Sequence, residues 1–114
     1  MKSILEAIGN TPIISLDDFV GGKCYAKMEF LNPSGSIKDR IALEMIKDAI
    51  ESGELKEGMG IVEPTSGNTG IGLCMVGAAL GYPVTIVMPE NMSNERKNMI
   101  KALGGKLVLT DEAL

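Results

Sequence analysis

Histidine and tryptophan are absent from the 114 residues, and the aromatic side chains amount to two tyrosines and two phenylalanines. Without an imidazole there is no Ser-His or Cys-His nucleophile pair and no His-bearing zinc site. So few rings leave no platform for stacking bases, and a net charge of −4 with no basic run argues against nucleic acid as a partner. The two cysteines, Cys24 and Cys74, lie far apart with no Cys-x-x-Cys spacing, which reads as buried reduced thiols in a cytoplasmic protein. A secretory leader is not expected, because residues 2–8 form an amphipathic segment that carries Glu6. No charge falls between Glu63 and Glu90, and residues 71–88 are long enough to suggest a membrane span. Gly81-Tyr82-Pro83 interrupts that run and β-branched residues follow it, so a helix and then a buried strand account for it, and no membrane partner is expected.

What is present is an ordinary globular mixture, 45% hydrophobic and 23% charged, with room for one core. Residues 24–30 alternate, with Cys24, Ala26, Met28 and Phe30 on one face, as in a half-buried strand. Ile14 and Leu16 are in phase with it, so an antiparallel pair is expected. Past residue 31 the period changes. Ile41, Met45 and Ala49, with Ala42, Ile46 and Ile50, make a helical stripe that Ser52-Gly53 ends. A short strand at Ile61-Val62, an apolar helix from about Thr69 to Leu80, and a continuous apolar strand over residues 84–88 follow. Ser93 then caps a helix with Met99, Ile100 and Leu103 inward, Gly104 stops it, and residues 106–110 form a last strand. Strands alternating with helices predict an α/β fold, a three-layer parallel sheet of βαβ units covered on both faces. A β-paired arm, residues 1–31, precedes this α/β body of residues 32–114.

Two loops carry unusual chemistry. Asn32-Pro33-Ser34-Gly35-Ser36-Ile37-Lys38-Asp39-Arg40 reads as a loop entering a helix, with Ser36 and Asp39 spaced as a carboxylate variant of the capping box. Lys38 then falls in the first turn, where free N–H groups and the macrodipole favour anions over an ammonium. Two readings stand: a solvated lysine offset by Asp39, or a nucleophilic or Schiff-base lysine. Thr65-Ser66-Gly67-Asn68-Thr69-Gly70 gathers three hydroxyls, a carboxamide and two glycines at the start of the next helix. It is either an anion clamp for a carboxylate or phenolic oxygen, or an ordinary loop capped by Asn68 or Thr69. It is not a nucleotide fingerprint, since Met75 stands where G-x-G-x-x-G wants its third glycine. Both loops run from a strand to a helix and so fall on the carboxyl edge of the sheet, where such folds bind ligands.

These two stretches, with Gly9-Asn10-Thr11-Pro12, Met88-Pro89-Glu90-Asn91-Met92-Ser93 and Ala102-Leu103-Gly104-Gly105, resemble the cysteine synthase (O-acetylserine sulfhydrylase) family across essentially the whole chain. Cystathionine β-synthase is the nearest relative, and both are fold-type II pyridoxal-phosphate enzymes. The resemblance implies that Lys38 holds pyridoxal 5'-phosphate covalently and moves the substrate Cα proton. It implies that Asn68 binds the cofactor's phenolic oxygen and that Thr65, Ser66, Asn68 and Thr69 grip the α-carboxylate. Thr69 stands where the related dehydratases usually carry histidine, which favours β-replacement: O-acetylserine loses acetate and sulfide takes its place to give L-cysteine.

The family's phosphate-binding loop and its pyridine-nitrogen contact have no counterpart in these residues. The resemblance therefore marks the chain as the N-terminal, small-domain portion of such an enzyme, inactive alone. A carboxylate-binding or structural domain without catalysis, or part of a cystathionine β-synthase-like enzyme, are the alternatives. In the resembled family the arm packs on the large domain. Ile14, Leu16, Cys24, Ala26, Met28 and Phe30 are then left as an uncovered apolar face, and a homodimer is expected.

Overall fold

The computed structural model describes residues 3–111. Lys2, where the opening helix is expected to start, and the trailing residues 112–114 lie outside them. Ser3 caps a 3-10 turn, Ile4–Ala7, by accepting the Leu5 N–H. Strand β1, Ile13–Ser15, then pairs antiparallel with β2, Tyr25–Lys27, with Ile14 opposite Ala26, as the alternation predicts. Between them a short helix, α1 (Asp17–Val20), closes on Gly21 at φ +70, a conformation that suits glycine. The predicted alternation stops short at Lys27. Pro12 accepts the Met28 N–H but has no N–H to return, so the Met28 carbonyl takes Leu31 N–H instead. Residues Glu29–Leu31 coil into a 3-10 turn that leaves Phe30 61% exposed, outside the strand face to which its spacing assigns it.

The body begins with α2 (Lys38–Glu51), followed by β3 (Ile61–Pro64), α3 (Asn68–Leu80), β4 (Val84–Pro89), α4 (Asn94–Ala102) and β5 (Lys106–Thr110). The three strands are parallel in the order β3-β4-β5. Two right-handed crossovers that step the same way put α3 and α4 on one face. That face carries Val84, Ile86 and Met88, all buried, against Cys74 and Val76 of α3 and Ile100 of α4. Full burial of a side chain such as Ile86 stabilises the fold by roughly 1.5–3 kcal/mol. Helix α3 is uncharged and buried continuously from Gly70 to Gly77, because the sheet, α2 and α4 all pack on it. Ser93 caps α4 through its hydroxyl, which accepts the Arg96 N–H at 3.3 Å.

Two expectations change in detail. Helices cover one face of the sheet only among the described residues, and the other carries Val62 at 66% and Val108 at 41% exposure. Helix α2 buries Ala42 and Ile46 but leaves Ile41 and Met45 exposed, since it packs on α3 along one side. No helix among the described residues is long and apolar enough to cross a membrane.

Candidate active site

Lys38 is the first residue of α2 and its side chain is exposed. The turn before it forms differently from the expected capping box. Ser36 Oγ accepts the Lys38 N–H at 3.1 Å, while Asp39 turns back to Ser34. Its carboxylate accepts the Ser34 N–H at 2.8 Å and also the Ser34 hydroxyl, and Asp39 is fully buried. The acid therefore closes the 34–39 loop rather than offsetting Lys38 in solvent. Behind it lies Gly72 of α3. A β-carbon there would stand 3.2 Å from Asp39 Oδ1, 3.3 Å from Ala42 Cβ and 3.3 Å from the Lys38 carbonyl oxygen. The missing side chain at Gly72 lets the start of α2 pack on α3 one turn in from its N-terminus.

Gly72 is one helical turn beyond Asn68, so the same contact brings the start of α2 close to the second loop. Thr65 and Ser66 follow β3, and Asn68 and Thr69 are the first two residues of α3. The cap position is Gly67, and no side chain caps the helix. Asn68 and Thr69 are thus not the caps that the plain-loop reading requires. Thr65 Oγ1 accepts the Gly67 N–H at 3.3 Å and its methyl group fills the space beside Gly70. Ser66 and Asn68 are exposed at a helix N-terminus, where N–H groups and the dipole favour an anion. Thr65 and Ser66 also line an open pocket of about 310 Å³ with Pro64, Val87, Pro89 and Thr110, at the carboxyl ends of all three strands. No hydrogen bond joins Lys38 to residues 65–69 among the described residues. A second hollow of about 260 Å³, between α2 and β3, is lined by Met45, Ile46, Leu55 and Ile61 and by neither loop.

The sequence reading missed a polar cluster beside Lys38. Arg40 lays its guanidinium on the Glu29 carboxylate, Nε to Oε2 at 2.7 Å and Nη2 to Oε1 at 2.9 Å. Nη2 also donates to the Gly9 carbonyl at 3.0 Å. Thr11 donates its hydroxyl to Glu29 at 2.6 Å. Asn32, 3% exposed, donates to Glu29 and accepts the Gly9 N–H at 2.8 Å. The hydrogen bonds from Arg40 and then Thr11 hold the Glu29 carboxyl at about 2, well below its ordinary 4.5. In turn Glu29 keeps the Arg40 guanidinium charged. Apart from Asn32, three residues from Glu29, the partners are eleven or more residues apart, so no local spacing reveals them. The one clue is a second cation, Arg40, in the turn where a cation is least favoured.

Residues 4–114 match the family described as pyridoxal-phosphate dependent enzyme. Over 96% of its length the chain is 56% identical to a cystathionine beta-synthase of Apis mellifera and 53% identical to a cysteine synthase of Staphylococcus aureus. It covers 23% of the first and 36% of the second, and so spans about a third or less of these curated relatives. Among solved structures it superposes on a cysteine synthase of Entamoeba histolytica with a TM-score of 0.91 at 45% identity, covering 97% of this chain and 35% of that one. An O-ureido-L-serine synthase gives a TM-score of 0.92 at 50% identity, with 97% and 36% covered.

Proposed function

The chain belongs to the pyridoxal-phosphate dependent enzyme family, and on that premise we propose that it supplies the lysine-bearing portion of a cytoplasmic cysteine synthase. The observation that carries the reading is the pairing of its two loops. Gly72 seats the helix of Lys38 on the helix that Asn68 begins, and Ser66, Asn68 and Thr69 at that second N-terminus are not spent on capping it. An exposed amine and an open carboxamide fit the aldehyde and the phenolic oxygen of pyridoxal phosphate.

In this reading Lys38 is the point of covalent attachment and the base that removes and returns the substrate Cα proton. Asn68 donates to the phenolic oxygen. Thr65, Ser66, Asn68 and Thr69 hold the α-carboxylate with the free N–H groups of α3, which fixes the Cα–H bond for removal. The cofactor, when bound, supplies the electron sink that makes this weak carbon acid react. O-acetylserine then exchanges acetate for sulfide to give L-cysteine. The 56% identity to a cystathionine beta-synthase supports a second reading, the same machinery with another nucleophile.

Incubation with pyridoxal phosphate, borohydride reduction and peptide mapping test the assignment. The label is expected on Lys38, and Asn68→Ala reduces it. Label spread evenly over Lys38, Lys47 and Lys101 would remove Lys38 from its role.

A further inference from the structure

Successive residues of a helix point about 100° apart, so Lys38, Asp39 and Arg40 face three directions from the first turn of α2. The second and third directions are fixed by independent anchors. Asp39 is buried against Gly72 and bonded to Ser34, on the side of the α/β body. Arg40 is forked onto Glu29 and bonded to the Gly9 carbonyl, on the side of the arm. Gly9 has room for this because it has no side chain: a β-carbon would lie 2.9 Å from Arg40 Nη1. The anchor is closed on itself as well, since Asn32 and Thr11 complete the Glu29 carboxylate. Lys38 is the remaining direction, and it is exposed.

We infer that Glu29 and Arg40 are positioning residues for Lys38. They clock α2 about its own axis from the arm side, so that the lysine amine is held in one direction rather than sweeping around the helix end. Ile37 at the cap position of α2 makes no side-chain bond, Ser36 holds only the Lys38 N–H, and the first turn carries two cations against the dipole. With only the Asp39 anchor left, the first turn pivots about Gly72. A fork needs a planar guanidinium, so a lysine at position 40 keeps the charge and loses the clocking.

This rests on the assignment of Lys38 proposed above, and the test separates the two. Wild-type chain, Glu29→Gln, Arg40→Lys and the control Glu44→Gln are treated with pyridoxal phosphate and borohydride, and the label is mapped lysine by lysine. Lys38 is expected to dominate in wild type and control, and its share relative to Lys47 to fall about tenfold in both node variants. Thermal unfolding is followed in parallel, and Arg40→Lys carries the test if Glu29→Gln does not fold. Node variants that unfold at lower temperature but keep the wild-type label distribution would overturn the positioning role and leave a plain structural staple. Even labelling already in the wild type would overturn the lysine assignment, and the inference with it.

Discussion

The Glu29 carboxyl is held near 2 by Arg40 and Thr11, below the 4.5 it has when free. A folded-state value below the unfolded one stabilises the protein while the group is ionised. The contribution is therefore complete above the unfolded value and is lost as pH falls through the folded one. Urea midpoints of the wild type and Glu29→Gln should differ by a constant amount down to about pH 5, and the gap should narrow below it. A gap that stays constant to the lowest pH would mean that Glu29 is not held by its neighbours. The cysteines give a second measurement at this scale. Burial pushes the Cys74 thiol up to about 11, while Cys24 is only half-buried. In the native protein iodoacetamide should alkylate Cys24 first and reach Cys74 only on unfolding. Equal rates would contradict the packing of α3 against α4 and Gly105.

Gly72 sits at the joint of α2 and α3, and what it touches is backbone and buried side chain rather than a flexible tip. Gly72→Ala should cost about 1–3 kcal/mol, as overpacking in a rigid site does, read from the denaturant midpoint. A neutral result would show that α2 can slide on α3. At this scale the sequence was legible where one physical signal dominated. The uncharged run from Gly70, closed by Gly81 at φ +84, announced α3, and its β-branched sequel announced β4. Helix α1 was hidden because Asp17-Asp18-Phe19-Val20 is a single turn, too short to show a period. The capping pattern Ser36 to Asp39 was satisfied in spacing but not in space, because Ser34 offered both an N–H and a hydroxyl to the same acid. The site divided in the same way. Lys38 and residues 65–69 stood out as motifs, whereas Glu29 and Arg40 meet only after the arm has folded over the start of α2.

Across the whole molecule, the face of the arm expected to be open is only partly so, since Leu16, Cys24, Ala26 and Met28 are half-buried, and the side chains more than 60% exposed there are Ile13, Phe19, Tyr25 and Phe30. A two-stranded pair with both outer edges open and that much exposed apolar surface is prone to associate. Light scattering over a concentration series should give a homodimer held through residues 11–30, and Phe19→Ser with Phe30→Ser should shift it toward monomer. A wild type that stays monomeric at high concentration would mean that these exposed side chains do not drive association. The burial of α3 has a different consequence. The middle of α3, Gly70 to Gly77, is enclosed by the sheet, α2 and α4, so its hydrogen-bonded amides should exchange with deuterium only when the whole α/β body opens. The arm meets that body through Leu5 and Ile8 on the core and through the Glu29 and Arg40 pair, and of its described residues only Thr11 is buried, so its amides should exchange sooner. Deuterium exchange should therefore show two rates in one chain, a faster one over the arm and a slower one at the core.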